Sequence, residues 1–452
     1  MASRRDPDQR LRALLSEAGW TGAQLAGAVN ALGAEAGLVL RYDRTSVAHW
    51  LAGSSPNPPV PELITEALQS RLGREIRPGA LQGPGPWPGT RPPAQTGQDA
   101  AAGLEQLHAA RATALRGGIY TLAALAIPGW ELAQAAALPA RARSGARTGR
   151  QQARTVSEMV RVFSDVDAAF GGGRAVTALS GYLAADIAPK LRAPATPLIR
   201  REIYAAATQL AYLCGFMHFD QEHHGAAQRY YTIALALATE NHDPAGYATA
   251  LRALSVQAHT LGHHQQARNL AESALAGAPG NLTAHTRAFL HGQVAVAAAG
   301  TGDRRTAVTH LTRAETLLAR ATPSAPASAI TGDYHEAALA HQRSAVLAAL
   351  GDTPGAAAAL AASLRQRPAT ERRARAVTLA ALAGLQTRQG HLEQAASTWH
   401  RFLADYPHLD CGRATTALAQ LRTTLRPHQR NPAAAEVWAQ ATKLARTRGN
   451  GR

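Results

Sequence analysis

The segment LGHHQQARNLAESAL, residues 261–275, places Gly262 five residues before Ala267, and the same spacing occurs in three later segments. Those segments read GTGDRRTAVTHLTRAETL at 300–317, LGDTPGAAAALAASL at 350–364 and QGHLEQAASTWHRFL at 389–403, with the pairs Gly302/Ala307, Gly351/Ala356 and Gly390/Ala395. Self-similarity at about forty residues is typical of helical repeats, in which each unit buries its apolar face against its neighbours. Residues 151–412 are therefore predicted to form an all-α solenoid.

Three positions in each segment have distinct physical roles. The glycine is expected to end a first helix in the left-handed conformation, and the small alanine lets a second helix approach the first closely. The residue four positions after the alanine fills the gap toward the next unit, and it is Leu311, Leu360, Trp399 or, in the first segment, Ala271.

A fifth unit, HHGAAQRYYTIALAL at 223–237, has Ala227 and Tyr231 in the matching places, with Glu222 where glycine is expected. Prolines follow three of the alanines by twelve residues, at Pro279, Pro368 and Pro407. The pattern resembles tetratricopeptide repeats, which have a closing proline at this position, although that family has a period of about 34 residues. The resemblance implies a concave groove lined by the first helix of each pair.

Two regions flank these repeats. RVFSDVDAAFGGGRAVTALSGYLAADIAPKL at 161–191 resembles a degenerate hairpin of the same kind. Its FGGGR sequence is interpreted as a turn and not a phosphate loop, because no Gly-Lys-Ser/Thr follows. Asn431 and Pro432 predict the cap and first turn of a final helix, so residues 413–452 are predicted to be basic capping helices.

Residues 1–77 are predicted to be a separate small helical unit. Asp43 is expected to cap its third helix, in which Val47, Trp50 and Leu51 face inward. The segment YDRTSVAHWLAGSSPNPPVPELITEAL at 42–68 resembles the repressor-like helix-turn-helix domains of the XRE type. In that family the third helix enters the major groove of DNA.

The XRE resemblance implies a set of outward DNA-contacting residues: Arg41, Arg44, Thr45, Ser46 and His49. Gly22 stands where the family commonly has glutamine, and the connection at 30–41 is longer than the family's turn. That connection is expected to extend the second helix or to form a wing-like loop. A helical domain used only for protein contacts is the alternative for this unit.

Between the two helical regions lie a predicted Pro/Gly-rich linker at 78–100 and a predicted helical connector with an Arg-rich break at 101–150. The apolar run at 117–140 approaches the length of a membrane span. Pro128, Gly129 and Glu131 interrupt it, so it is expected to form a helical hairpin that docks on the repeats.

Composition limits the class of protein further. The chain of 452 residues has two cysteines, which favours a reducing, cytoplasmic compartment over a disulfide framework, and its N-terminus lacks the apolar core of a signal peptide. The formal net charge of +16 lies mainly outside the helix-turn-helix unit, because residues 1–80 hold nine arginines against eight acidic residues. The overall basicity is therefore weak evidence for nucleic-acid binding.

The whole layout resembles Streptomyces-type actinobacterial transcriptional regulators, some of which restrain antibiotic production and sporulation. RVFSDVDAAFGGGRA at 161–175 and LAYLCGFMHFDQEHHGAAQRYY at 210–231 support this resemblance, together with DRTSVAHWLAGSSPNPPVPELI at 43–64. It implies double-stranded DNA and a peptide or protein as partners, without a membrane, and leaves a homodimer open. The alternative is a tetratricopeptide scaffold that does not bind DNA.

The offset from the repeat alanines places an aromatic and basic set in the predicted groove: Tyr212, Phe216, Phe219, Arg252, His259, Phe289 and His341. Such a lining suits an extended peptide with apolar side chains and a carboxylate, while packing of these aromatics between helices is the alternative. HFDQEHH at 218–224 matches neither zincin pattern, and no arrangement of a nucleophile with a base stands out. We therefore expect no metal, no cofactor and no enzymatic activity.

Overall fold

The structure is a computed structural model, and it describes residues 9–35, 40–54, 56, 60–72, 97–112, 120–136, 148–321 and 334–449. All regular elements in these ranges are helical, as the sequence predicts. The predicted linker therefore lies mostly outside the described residues. The α-helices are α1 (Gln9–Ala18), α2 (Gly22–Glu35), α3 (Arg44–Leu51), α4 (Val60–Leu72), α5 (Gly97–Ala112), α6 (Trp130–Ala136), α7 (Arg150–Phe170), α8 (Val176–Tyr182), α9 (Ala188–Arg192), α10 (Pro197–Asp220), α11 (His224–Glu240), α12 (Pro244–Thr260), α13 (His264–Ala276), α14 (Ala284–Gly300), α15 (Arg304–Ala319), α16 (Glu336–Ala349), α17 (Thr353–Gln366), α18 (Arg372–Arg388), α19 (Leu392–Asp405), α20 (Gly412–Leu425) and α21 (Pro432–Gly449).

Helices α1–α4 form the N-terminal unit around a core of their own. Thr21 and Gln24 cap the start of α2 by exchanging hydrogen bonds. The second helix continues to Glu35, so part of the connection at 30–41 extends α2. This extension was one of the two structures expected for the connection. The amide of Asn30 bonds the main chain of Tyr42 in both directions, at 2.8 and 2.9 Å, and thereby fixes where α3 begins.

From α10 onward the helices pack as consecutive antiparallel pairs, each against the next. The predicted turn glycines all have positive φ, from +79° at Gly302 to +86° at Gly351. The predicted alanines of the five units are completely buried at the pair interface. Glu222 occupies the glycine position of its unit with a φ of +61°. The backbone therefore keeps the same turn without glycine, and the predicted register of the fifth unit is confirmed.

The hairpin predicted at 161–191 is formed by α7, α8 and α9. A short π-helix, Leu183–Ile187, separates α8 from α9. It lies just before Pro189, whose missing N–H and bulky ring interrupt α-helical hydrogen bonding. At the other end, the side chain of Asn431 accepts the N–H of Ala434 at 3.1 Å, which confirms the predicted cap of α21.

Helix α7 packs against both α10 and α18, so the two ends of the repeat array meet. The resemblance to tetratricopeptide repeats implies a concave groove, whereas the observed array closes on itself. We call the surface formed by α10, α12, α14, α16, α18 and α20 the inner surface.

Residues 120–136, which we call the strap, dock on the outside of the repeats. Thr121 exchanges two main-chain hydrogen bonds with the side chain of Gln228 on α11, at 2.9 and 2.8 Å. The Tyr247 hydroxyl on α12 donates to the carbonyl of Pro128 at 2.7 Å. Docking is therefore as expected, but the strap is a 3₁₀ turn and the short helix α6 instead of a helical hairpin. Among the described helices, none is long and apolar enough to cross a membrane.

Candidate functional site

The exposed face of α3 is the first candidate site. Val47 is completely buried and Trp50 is 6% exposed, with the Trp50 ring edge-on to Tyr42 at 5.1 Å. These contacts hold one side of the eight-residue helix against the core. The other side presents Arg44, Thr45 and His49 to solvent, next to the exposed Arg41.

Ser46 differs from the other members of the predicted DNA-contacting set. Its main-chain N–H donates to the Asp43 carboxylate at 2.8 Å, and its hydroxyl also bonds that carboxylate at 2.8 Å. These bonds lower the pKa of Asp43, so the cap carries a full negative charge at neutral pH. The Ser46 hydroxyl is thus committed to the cap, and Arg44, Thr45 and His49 are the freer side chains.

Gly22 brings the start of α2 next to α3. A Cβ at this position would lie 3.4 Å from Cγ1 of Val47 and 3.7 Å from Cγ of Arg44. The aliphatic part of Arg44 therefore lies beside the N-terminus of α2. This places a guanidinium and a helix N-terminus on one surface, and both attract phosphate.

The inner surface is the second candidate site. The Arg252 guanidinium on α12 lies 3.6 Å from the centroid of the Phe289 ring on α14. Phe289 in turn meets Tyr334 edge-on at 5.3 Å, and Tyr334 donates to Gln342 at 2.5 Å. Burial raises the pKa of Tyr212, which also interacts with Arg252. Among the described residues, no carboxylate forms an ion pair with Arg252.

Two further predicted groove residues are covered by arginines from the opposite end of the array. The Arg373 guanidinium lies 4.7 Å from the centroid of the Phe216 ring. The Arg413 guanidinium lies 5.1 Å from the centroid of the Phe219 ring. These contacts explain why the aromatic side chains are not an open wall of a groove.

The remaining predicted groove residues lie apart from this centre. His341 on α16 is half-buried, bonds Thr378 through Nδ1 at 3.1 Å, and has its pKa lowered to about 4, mainly by burial. His259 lies at the end of α12 beside His264, with ring centroids 4.9 Å apart. The pKa of His259 is lowered, mainly by burial and to a smaller extent by the nearby His264.

Burial divides the predicted groove set into two groups. Tyr212, Phe219 and Phe289 are only 7%, 3% and 6% exposed. These three side chains therefore pack between helices, which was the alternative to a groove lining. The half-buried members are the ones that a ligand could reach: Phe216, Arg252, His259 and His341.

Sequence reasoning missed several charged residues of the repeat array. Arg367, the residue after α17, pairs with Glu371 at 2.5 Å, and Glu371 also pairs with His335 at 2.6 Å. On the inner surface, Arg373 and Arg413 pair with acidic residues of α7 and α10. For these two arginines, a charged residue in an Ala-rich inner helix is the signal that could have marked them.

Metal ligands do not converge among the described residues, where no group of three or more His, Cys, Asp or Glu side chains could hold an ion. His218 stacks on Tyr230 at 5.3 Å, and burial lowers the pKa of His224 to about 4. In that segment, therefore, the histidines pack within the hairpin of α10 and α11.

The N-terminal unit corresponds to a known domain family. The model of the SP15 N-terminal domain matches residues 11–82. The match thus covers α1–α4, and a long region of paired helices follows it. A comparison with curated proteins gave no match to this chain.

Proposed function

We propose that this protein is a transcriptional regulator that binds double-stranded DNA through α3 and a peptide or protein partner through its repeats. The observation that carries the proposal is the exposed face of α3, where Arg44, Thr45 and His49 project from a short helix held by Val47 and Trp50. An arginine at the start of such a helix can bond guanine with two donors, and threonine can serve several base edges.

The remaining geometry of the N-terminal unit supports backbone contacts. Arg41 precedes α3, and the stem of Arg44 lies beside the N-terminus of α2. Phosphate contacts position a protein on the duplex, whereas base contacts specify the sequence. Since residues 1–80 carry only one more arginine than acidic residues, nonspecific binding to DNA should be weak at moderate salt.

Arg252 supports the partner-binding half of the proposal. Its guanidinium covers Phe289 and, among the described residues, has no carboxylate to neutralise it. A buried or half-buried cation gains most from an anionic partner. An extended peptide that brings a carboxylate to Arg252 and an apolar side chain to Phe216 fits this chemistry.

The resemblance to actinobacterial regulators supports a role in secondary metabolism or differentiation. The rival function is a scaffold in which the N-terminal unit only contacts protein, and the nearly balanced charge of residues 1–80 favours it. The two differ in whether the full-length protein occupies specific genomic sites.

The test is genomic footprinting of the tagged protein, followed by binding of the recovered fragments to purified full-length variants. Arg44→Ala should weaken specific binding by about 1–3 kcal/mol. Arg12→Ala, which removes the same charge from an exposed position on α1, is the matched control and should bind like the wild type. Equal binding by Arg44→Ala and wild type, or no footprint at all, would favour the scaffold.

A further inference from the structure

The two ends of the repeat array are joined by a polar seam. Residues 167–173 and 217–222 form one side of it, and Arg373 with residues 405–416 forms the other. The Asp410 N–H donates to the carbonyl of Phe170 at 2.7 Å, and the Gly173 N–H donates to the carbonyl of Asp410 at 2.9 Å. The side-chain amide of Gln221 donates to the same Asp410 carbonyl at 2.7 Å. One short segment therefore bonds two different parts of the array's beginning.

The glycines of the FGGGR turn make this close approach possible. A Cβ at Gly171 would lie 2.6 Å from the carbonyl oxygen of Asp410. A Cβ at Gly172 would lie 2.6 Å from the carbonyl oxygen of Met217. Gly171 also has a φ of +86°. The three glycines thus let the chain segment at Asp410 lie directly against the turn. A turn that only joined two helices would not require three glycines.

Four charged side chains form a buried cluster in the seam. Arg373 pairs with Asp167 at 3.0 Å, and Arg413 pairs with Asp220 at 2.6 Å, with Arg373 also 3.9 Å from Asp220. The Asp220 carboxylate further accepts the N–H of Gly172 at 3.2 Å. Although burial opposes its ionisation, Arg413 and Arg373 keep the pKa of Asp220 below its usual value.

The apolar cores on the two sides of the seam are separate. One core contains Met217 and Phe219 and continues through α13 into α14, while the other contains Leu409 and Cys411 and runs from α17 to α21. Buried ion pairs contribute little net stability, because the desolvation of the charges offsets much of their attraction. The seam is therefore held by directional polar contacts, and each side keeps its own core.

From this arrangement we propose that the seam is a latch, which opens locally while both ends of the array stay folded. Opening separates Arg373 and Arg413 from Asp167 and Asp220 and uncovers Phe216. Access of a partner to the inner surface through the open latch rests on the proposed function, whereas the opening itself does not.

The two native cysteines report on this opening in the unmodified full-length protein. Cys411 is 1% exposed and interacts with Asp220. It lies at the edge of its core, against the other side of the seam, because a Cβ at Gly171 would be 3.1 Å from Cβ of Cys411. Cys214 is completely buried within α10, with its sulfur 3.7 Å from the Ser180 hydroxyl. A thiol reagent should therefore reach Cys411 when the latch opens, and Cys214 only when the core itself unfolds.

The experiment measures the labelling rate of each cysteine by mass spectrometry under native conditions. We expect Cys411 to react at least about tenfold faster than Cys214, because local opening requires less free energy than global unfolding. Equal rates for the two thiols would overturn the latch. This comparison uses the wild-type chain, so it decides the matter even where a variant fails to fold.

A pair of variants tests the ion cluster. Asp220→Asn keeps an acceptor for Gly172 but removes the charge that faces Arg413, and should raise the Cys411 rate about tenfold relative to the Cys214 rate. Arg375→Gln breaks the half-buried pair of Arg375 with Asp405, which does not cross the seam, and should leave the ratio unchanged. An equal rise at both cysteines in Asp220→Asn would overturn the proposal.

Discussion

The main-chain N–H of Leu122 donates a 3.0 Å hydrogen bond to the carboxylate of Glu66, which joins the strap to α4. Glu66 is only 3% exposed, although it lies on a helix of the small N-terminal unit. On its other side the strap continues to the repeats, where Tyr120 stacks on His263 with centroids 5.7 Å apart. The strap is therefore a physical connection between the N-terminal unit and the outer side of the array.

Glu66→Ala should loosen the N-terminal unit from the strap. The substitution leaves the Leu122 N–H without this acceptor, at a cost of about 1–3 kcal/mol for a buried donor. Hydrogen exchange of residues 120–125 in the full chain should accelerate. Glu66→Gln keeps an acceptor and should change exchange much less; equal exchange in Ala, Gln and wild type would show that the contact does not hold the strap.

Gly351→Ala should destabilise the array through backbone conformation alone. Gly351 has a φ of +86°, and a Cβ there would meet nothing within 4 Å. The left-handed conformation costs an L-residue about 1–2 kcal/mol. Gly384 lies inside α18, so Gly384→Ala is the matched control and should stabilise by about 0.5–1 kcal/mol. Urea unfolding measures the free energy of unfolding of both variants. A change of the same sign in the two variants would contradict the assigned backbone role of Gly351.

His291 should make the folded state less stable in acid. Its Nδ1 lies 2.9 Å from Nδ1 of His310, and burial followed by His310 lowers its pKa to about 4. The unfolded chain takes up a proton near a pKa of about 6.5. Stability present at neutral pH is therefore lost as the pH falls below that value, by about 2 kcal/mol near pH 5.

Asp167 acts in the opposite direction, because burial raises its pKa to about 6 and the folded state then binds the proton more tightly. The effect of His291 on acid stability must therefore be measured as the difference between the wild type and a His291 variant. Urea unfolding of His291→Gln and wild type at about pH 7.5 and about pH 5 should show a smaller acid loss in the variant. The same acid loss in both proteins would exclude His291 as a cause.

Trp50→Ala should destabilise the N-terminal unit much more than His49→Ala, because the two residues lie on opposite sides of α3. Trp50 is 6% exposed, and truncation of a buried aromatic costs about 3–5 kcal/mol. His49 is exposed, and its truncation should change stability by less than about 0.5 kcal/mol. Hydrogen exchange of residues 9–72 in the full chain distinguishes the two, and equal protection in both variants would refute the assigned orientation of α3.

Local features were accessible from the sequence. The turn glycines, the buried alanines and the caps at Asp43 and Asn431 each depend on residues within a few positions of one another. Their backbone conformations and short-range contacts follow from residue type and spacing. The all-α class and the register of the helix pairs were predictable for the same reason.

The placement of the predicted groove residues was not accessible in this way. A helical offset gives the face on which Tyr212 or Phe289 lies, but the exposure of that face depends on what the closed array brings against it. Phe216 is covered by Arg373, which is remote in the sequence. Periodicity identifies an apolar or inner face, and it does not tell whether that face is open.

The sequence by itself determined a small helical unit followed by stacked helix pairs, because helix formation and packing between neighbouring pairs are encoded at short range. Only the tertiary structure decided that the array closes, that α7 meets α18, and that Arg373 pairs with Asp167 across 206 residues. Closure depends on small rotations that accumulate from pair to pair, and its contacts are polar groups without a repeating pattern. For that reason the inner surface and its seam follow from the complete fold and not from any single segment.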